Sequence, residues 1–463
     1  MSGDLKACIE ALSGLDLDVN PATVQQKSRD LYWYSPILKR QLGAVTADFV
    51  VAPRDEDEVV RVLATCWKYD VPVTVRGAGT GNYGQAMPLF GGAVLHTKHL
   101  DRIVKVGPDH IIAQPGVVIE HLEKTARENG KEIRLFPSTA ATATIGGFIA
   151  GGSSGVGAIR WGGLRNPANL RRLRLVTMEE MPRVIELVGD DISKAAHAYG
   201  VNGVITEVEL PIDPASDWVD VLIGVDGFDR ATALAIALGE DEAISKRMLS
   251  TFEAPIPELY FRRHGPFLID GEAAIAMMVS RDSLAALEAH LSGLDHAHVR
   301  FRADTAEATG KLPAVYELAW NHTTLRALRI DPSITYLQMM LPRDRLDESF
   351  AAVRDTFGDE LMMHCEFTRF DGVVTPVALP LVRFTSEERL EEIIMTIEGK
   401  LGLPVFNPHR VTLEEGGMKR TDVGQLEFKK QTDPKGLMNP GKMIAWTEPD
   451  WTPVAGKTFL FAK

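Results

Sequence analysis

Residues 73 to 97, VTVRGAGTGNYGQAMPLFGGAVLHT, decide how the chain begins to fold. Gly79, Gly81 and Gly84 have the G-x-G-x-x-G spacing of a dinucleotide-binding turn, and Asp101 stands where a ribose-binding acid would sit in that motif. The motif needs a helix directly after the glycines, its N-terminus on the pyrophosphate. Pro88, Gly91 and Gly92 break any such helix, and Ala93 to Thr97 read as another strand. The glycines therefore occupy a strand-to-strand loop. Such a loop still holds phosphate when successive backbone N–H groups form an anion nest and no Cβ stands in the way.

Upstream of the loop, residues 53 to 69 place Val59, Val62, Leu63, Cys66 and Trp67 on one helical face, with acids in the first turn where they suit the helix dipole. Downstream, RIVKV and HIIAQPG read as strands, and VIEHLEKTARENG as a helix closed by Asn-Gly. Residues 135 to 159 then run without a charge. Their Gly, Ser, Thr and Ala content and Pro137 argue against a membrane span and for packing against a flat, largely apolar group. VNGVITEVELPI closes this region with a β-branched strand near Pro214.

From about 215 to 425, alanine-rich stretches such as RATALAIALGEDEAISKRMLS and SRDSLAALEAHLSGL read as helices. They alternate with strand-like VDVLIGV, TYLQMMLP and VALPLVRF, as in an α+β unit. The last segment, DPKGLMNPGKMIAW, is turn-rich with a short strand-like end. The expected division is an N-terminal helical segment 1–44, a cofactor domain 45–214, a cap 215–425, and a closing segment 426–463 that returns to the cofactor domain.

A chain of 463 residues makes more than one packing unit. A net charge of −13 with no basic cluster excludes nucleic acid or an anionic membrane as the main partner. Cys8, Cys66 and Cys365 contain no C-x-x-C pair, which fits a reducing compartment; with no signal-like start, the expected location is cytoplasmic.

RGAGTG at 76–81, QPGV at 114–117, PSTAATATIGGFIAGGSSG at 137–155, GVITEVEL at 203–210 and NPGKM at 439–443 together resemble the FAD-linked oxidases of the vanillyl-alcohol oxidase type. The nearest branch is that of glycolate oxidase and D-lactate dehydrogenase flavin subunits. The resemblance implies an α+β fold in which a two-subdomain PCMH-type FAD-binding domain is covered by an α+β cap. It implies FAD contacts from Arg76, Gly77, Ala78, Gly79, Thr80, Gly81 and Asn82, then from Pro137, Ser138, Thr139, Thr144, Gly146 and Gly147. Ser153, Ser154, Gly155, Val204, Ile205 and Asn439 complete that set. Relatives that bind FAD covalently carry a histidine in or near the first loop; Gly79, Thr80 and Gly81 stand here, so noncovalent FAD is expected.

The expected reaction is hydride transfer to flavin from a small 2-hydroxy acid of the glycolate or D-lactate kind, with a larger neutral or aromatic alcohol as the alternative. The acceptor is left open between oxygen, quinone and a protein. So is a partner, whether an iron–sulfur subunit that the flavin chain needs for activity or a second copy of this chain.

Two departures from the branch stand out: Phe148 and Gly152 flank the IGG turn, and TLEEGGMK puts Glu414 on a family glutamate and Glu415 on a family histidine. A base must take the hydroxyl proton, and a carboxylate substrate needs a cationic anchor. Candidates lie at Trp320, Asn321, His322 and Arg326; at His364, Glu366 and Arg369; and at Asn407, His409, Glu414, Glu415 and Lys419. His409 is the expected base, Arg369 the expected carboxylate anchor, and His364 and Glu415 further catalytic candidates. No metal is expected, although His364, His409 and Glu414 have the ligand types for one. His296 and His298 read as solvated surface.

Overall fold

The computed structural model describes residues 4–305, 312–416 and 423–452. Lys419, one of the cap candidates, lies outside them. Helices Leu5–Ala11, Pro21–Lys27 and Pro36–Leu42 form the N-terminal segment, and strand Asp16–Asp18 within it pairs antiparallel with Phe49–Ala52. Phe49–Ala52, Ala93–His96 and Val73–Arg76 continue that sheet in parallel.

Parallel strands need crossovers, and helix Glu56–Lys68 supplies the first, from Phe49–Ala52 to Val73–Arg76 on the far side of Ala93–His96, its buried face made by Val59, Val62, Leu63 and Cys66. Asp55 caps it by accepting from the Glu58 N–H at 2.9 Å. The second crossover, residues 77–92, contains no helix. Its backbone amides are therefore not consumed by a helical ladder.

The second sheet is antiparallel, in the order Ile103–Val106, His110–Ala113, Val204–Pro214, Arg172–Val176, Val184–Val188, with Lys131–Ile133 pairing the far end of Val204–Pro214. Helices Ile119–Glu128 and Ile145–Gly151 pack with it into one hydrophobic core.

The cap is an eight-stranded antiparallel sheet: Ala297–Arg302, Trp218–Val225, Ala273–Ser280, Lys246–Phe252, His364–Phe370, Val373–Ala378, Gln338–Met340, Val405–Phe406. Strand Ala273–Ser280, an unbroken apolar run but for its last residue, is buried on both faces. Ile275, Met277 and Val279 pack in the core that contains helices Phe228–Glu240, Leu284–Leu291, Leu346–Phe357 and Glu387–Gly399. Ala274, Ala276 and Met278 face the core shared with the cofactor half. That parity runs along His364–Phe370 too, where Cys365 and Phe367 belong to the helix-covered core.

Three local expectations are corrected. RATALAIALGEDEAISKRMLS is one helix, Phe228–Glu240, followed by strand Lys246–Phe252; Asp241 and the turn after it end the helix before the β-branched and long side chains begin. TYLQMMLP divides into Ile334–Tyr336 and Gln338–Met340, which enter different sheets. Ile444–Thr447 is a helical turn rather than a strand, because the Glu414 carboxylate accepts from the Ile444 and Ala445 N–H groups at its start.

Residues 437 to 439 pair with the first sheet at Val73, where Met438 forms a parallel bridge. Val73 donates to the Leu437 carbonyl at 2.8 Å, and Asn439 donates to the Val73 carbonyl at 2.8 Å.

Candidate active site

The strand Val73–Arg76 delivers the chain into a loop that forms one wall of a long cavity; Gly77 to Tyr83, Gln85 and Ala86 line it. The loop is held from behind by its carbonyls. Leu31 N–H donates to Gly81 O at 2.7 Å, Arg76 Nη2 to Ala78 O at 3.1 Å, Lys442 Nζ to Gly84 O at 2.6 Å, and Asn439 Nδ2 to Gln85 O at 2.8 Å. In a trans peptide the N–H points opposite the C=O, so these bonds turn the amides of Gly79 and Asn82 toward the cavity. Among the described residues, none of the N–H groups from Gly77 to Asn82 donates to a backbone carbonyl.

Two buried cations, Arg76 and Lys442, stand behind this wall, with Asp30 buried beside them. Burial holds Lys442 below the usual lysine range and Asp30 above the usual carboxylate range, each opposed by the other's charge. Gly79 has φ +73, and a Cβ there would collide with the Arg76 guanidinium.

The opposite wall is the chargeless run: Pro137, Ser138, Thr139, Thr144, Gly146, Gly147, and Gly151 through Gly155. Thr144 caps helix Ile145–Gly151, its hydroxyl accepting from the Gly147 N–H at 3.4 Å. A Cβ on Gly146 would run into Pro115, and one on Gly155 into the Phe136 carbonyl. Ile205, Leu175 and Asn202 complete this half. The hydroxyl of Ser154 and the carbonyl oxygen of Asn202 are buried without a protein partner.

The other half of the cavity belongs to the cap. Trp320, Asn321, Gln338, Met340, Thr368, Phe370, Val377, Leu379, Phe406 and Gly416 line it. Among the described residues no lysine or arginine lines any part of the cavity.

Residues 47–181 match the family model described as an FAD binding domain. The chain is 36% identical over 428 residues to a D-lactate dehydrogenase of Archaeoglobus fulgidus, a match that covers 85% of this chain and 91% of that protein. The chain belongs to this family of FAD-linked oxidoreductases. A glycolate oxidase subunit GlcD of Bacillus subtilis is 24% identical over 427 residues, covering 86% of this chain and 89% of that one. Among solved structures, an alkyldihydroxyacetonephosphate synthase superposes with a TM-score of 0.71 at 15% identity, covering 94% of this chain and 85% of that chain, a likeness of fold.

As a member of the FAD-linked family the chain is an FAD-dependent oxidoreductase, and its walls fit the cofactor. The free amides of the glycine loop and the cations behind them suit a pyrophosphate. The unpartnered Ser154 and Asn202 atoms suit the polar groups of a nucleotide. Of the residues that the sequence assigns to FAD, Gly77 to Asn82, Pro137 to Thr139, Thr144, Gly146, Gly147, Ser153 to Gly155 and Ile205 stand on the cavity wall. Arg76 and Asn439 act from behind the loop, and Val204 faces the core of the first sheet, one residue out of phase with Ile205. Leu31, Tyr34, Gln85, His197 and Tyr199 join the wall without a local signal in the sequence.

Of the expected catalytic set, Arg369, His409 and His364 do not line the cavity. Arg369 is off the cavity: its guanidinium donates to the carbonyls of Ile159, Gly239 and Gly372 at 3.2, 3.1 and 2.8 Å. His409 is 1% exposed, with Nδ1 2.7 Å from Ser35 Oγ and Nε2 3.0 Å from the Tyr336 carbonyl. Both nitrogens are engaged, burial pushes the ring down to about 4, and the residue does not line the cavity. His364 is buried against Glu366 and stacks on Phe252, also behind the wall. Arg326 donates to the Glu317 carbonyl, and Asn407 Oδ1 accepts from the His409 N–H.

Glu415 accepts from Thr412 Oγ1 at 3.0 Å and directly precedes the wall residue Gly416. The metal set is not assembled: His364, His409 and Glu414 each have separate partners, and among the described residues no group of three or more His, Cys, Asp or Glu could hold an ion. No described helix is long and apolar enough to cross a membrane.

Proposed function

We propose that the chain oxidises a CH–OH group on a hydroxylated molecule with an apolar body, using noncovalently held FAD as hydride acceptor. The observation that carries this reading is the cap wall: Met340, Phe370, Val377, Leu379 and Phe406 supply an apolar surface, and no described cation stands there to bind a carboxylate. A bound flavin supplies two-electron acceptance. The protein contributes the loop amides that hold the pyrophosphate, the small-residue wall that lets a flat ring approach, and the cap that excludes water from the reacting carbon. Glu415 is the group we assign to take the hydroxyl proton, at its carboxylate oxygen, since it adjoins the wall at Gly416 and Thr412 Oγ1 satisfies one of its oxygens.

A second reading, a 2-hydroxy acid such as glycolate or D-lactate, is favoured by the names of the relatives. Because one relative is named as an oxidase subunit, a partner protein is the proposed destination of the electrons in either reading. The deciding experiment is anaerobic titration of the purified yellow protein with 2-hydroxy acids and neutral alcohols of increasing size. Bleaching of the flavin band by neutral alcohols and not by glycolate or lactate supports the first reading; the reverse pattern supports the second. A protein that binds no FAD refutes both.

A further inference from the structure

Strand His364–Phe370 presents its even-numbered residues to the cavity side of the cap, and Thr368 and Phe370 reach the wall. Glu366, on the same face, is 1% exposed, and its carboxylate has three polar partners. Oε2 accepts from Ser250 Oγ at 2.6 Å. Oε1 lies 2.6 Å from His364 Nε2 and also accepts from the Trp320 N–H at 2.6 Å. His364 is itself fixed by stacking on Phe252, ring centroids 4.7 Å apart and planes 18° from parallel. A carboxylate so supplied is a rigid anchor.

Trp320 is strained at the point where Glu366 holds it, with φ 54 and ψ −141, a left-handed conformation that bulky side chains rarely adopt. It opens helix Asn321–Leu328, and both Trp320 and Asn321 line the cap half of the cavity. Strained backbone of this kind persists only where the surroundings over-determine it, and it concentrates at functional sites. Here the over-determining contact is the Glu366 carboxylate, and what it fixes is Trp320, a residue of the cavity wall.

We propose that Glu366 is a positioning residue: its hydrogen bond to the Trp320 amide keeps the Trp320–Asn321 corner against the cavity, and the indole held there selects substrates with an apolar body over small acids. This rests on the reading that the cap half receives a hydroxylated substrate. Removing the anchor lets the corner relax to an ordinary backbone conformation and the indole leave the wall, so the loss falls on substrate binding rather than on the cofactor.

The test compares Glu366→Ala, Glu366→Gln and Trp320→Ala in the FAD-loaded full chain by amide hydrogen exchange, FAD titration and steady-state turnover of neutral alcohols, glycolate and D-lactate with an artificial electron acceptor. In Glu366→Ala, exchange at the Trp320 amide rises about tenfold or more. Its KM for the largest alcohol rises about tenfold with kcat within about threefold, and FAD affinity stays within about twofold. Glu366→Gln, whose amide oxygen still accepts from Trp320, recovers to within about threefold of the parent. Trp320→Ala reproduces the KM pattern.

Unchanged exchange at Trp320, a glutamine variant as impaired as alanine, or a fall in FAD affinity matching the rise in KM overturns the proposal. If Glu366→Ala does not fold, Trp320→Ala decides, and an unchanged substrate preference overturns it. If no alcohol or acid reduces the parent flavin, the proposed function and the selection role fall together, while exchange at Trp320 still decides the positioning role.

Discussion

Arg369 and Phe370 are neighbours on one strand and serve opposite faces of the cap sheet: Phe370 lines the cavity, whereas the Arg369 guanidinium binds three backbone carbonyls, one of them Gly239 in helix Phe228–Glu240. Successive side chains on a strand alternate sides, so an anchor displaced by one residue cannot serve the site. Arg369→Ala is therefore expected to lower stability by about 1–3 kcal/mol through the orphaned carbonyls. KM for any substrate should stay within about twofold of the parent. A large rise in KM for 2-hydroxy acids alone, measured beside the urea midpoint, would restore Arg369 as a carboxylate anchor.

Gly79→Ala tests the phosphate loop. The residue sits at φ +73, which costs a side-chain-bearing residue about 1–2 kcal/mol, and its Cβ would occupy the place of the Arg76 guanidinium. Arg76 would have to release the Ala78 carbonyl, and the amide of Gly79 would turn from the cavity. The expected result is an FAD affinity lower by about tenfold or more, read by flavin fluorescence titration.

Lys442→Met removes the buried ammonium that holds the Gly84 carbonyl while keeping an apolar side chain of similar reach. It also deprives Asp30 of one of its two counter-charges, leaving Arg76. FAD affinity and thermal stability should fall together, the latter by about 1–3 kcal/mol. A loss of stability with undiminished FAD affinity would confine Lys442 to holding the closing segment in place.

The parts of the fold set by local chemistry were legible. Pro88, Gly91 and Gly92 exclude the helix that a nicotinamide-type turn requires, and residues 77–92 indeed contain none. The chargeless run likewise places its small residues on the cavity. What sequence could not supply is long-range geometry. His409 looked like a base because of its neighbours in the chain, but Ser35, 374 residues away, closes its ring. Leu31 and Tyr34 join the cavity wall from a segment that reads only as helical. The alternation that separates Arg369 from Phe370 is visible in sequence only once the direction of the cavity is known.

Noncovalent attachment has a direct check. The loop residues Gly79, Thr80 and Gly81 offer no nucleophile comparable to a histidine, and the wall histidine His197 has Nδ1 bonded to the Gly152 carbonyl at 2.8 Å. Acid precipitation should leave the yellow colour in the supernatant. Colour retained in the pellet would point to a covalent bond and make His197 the first residue to replace.

The pH dependence of stability tests the placement of His409 most sharply. His96, His264 and His409 are buried, and burial pushes each down to about 4. The unfolded chain titrates its histidines near 6.5, so between these values the unfolded state binds protons that the folded state refuses. Their contribution is full above about 6.5, erodes as the pH falls below it, and is lost by about 4. At pH 5 each histidine then costs about 2 kcal/mol relative to pH 7. His322, also pushed down to about 4 by burial, adds to this cost, while Asp220 and Asp30, pushed up to about 6, and Glu253 and Asp433, pushed in the same direction, act with the opposite sign and offset part of it. The urea midpoint should therefore drop from pH 7 to pH 5, and His409→Asn should shrink that drop by about 1–2 kcal/mol. An unchanged drop in the variant would mean that His409 carries a proton in the folded protein at pH 5, and a histidine able to do so would again be a candidate base.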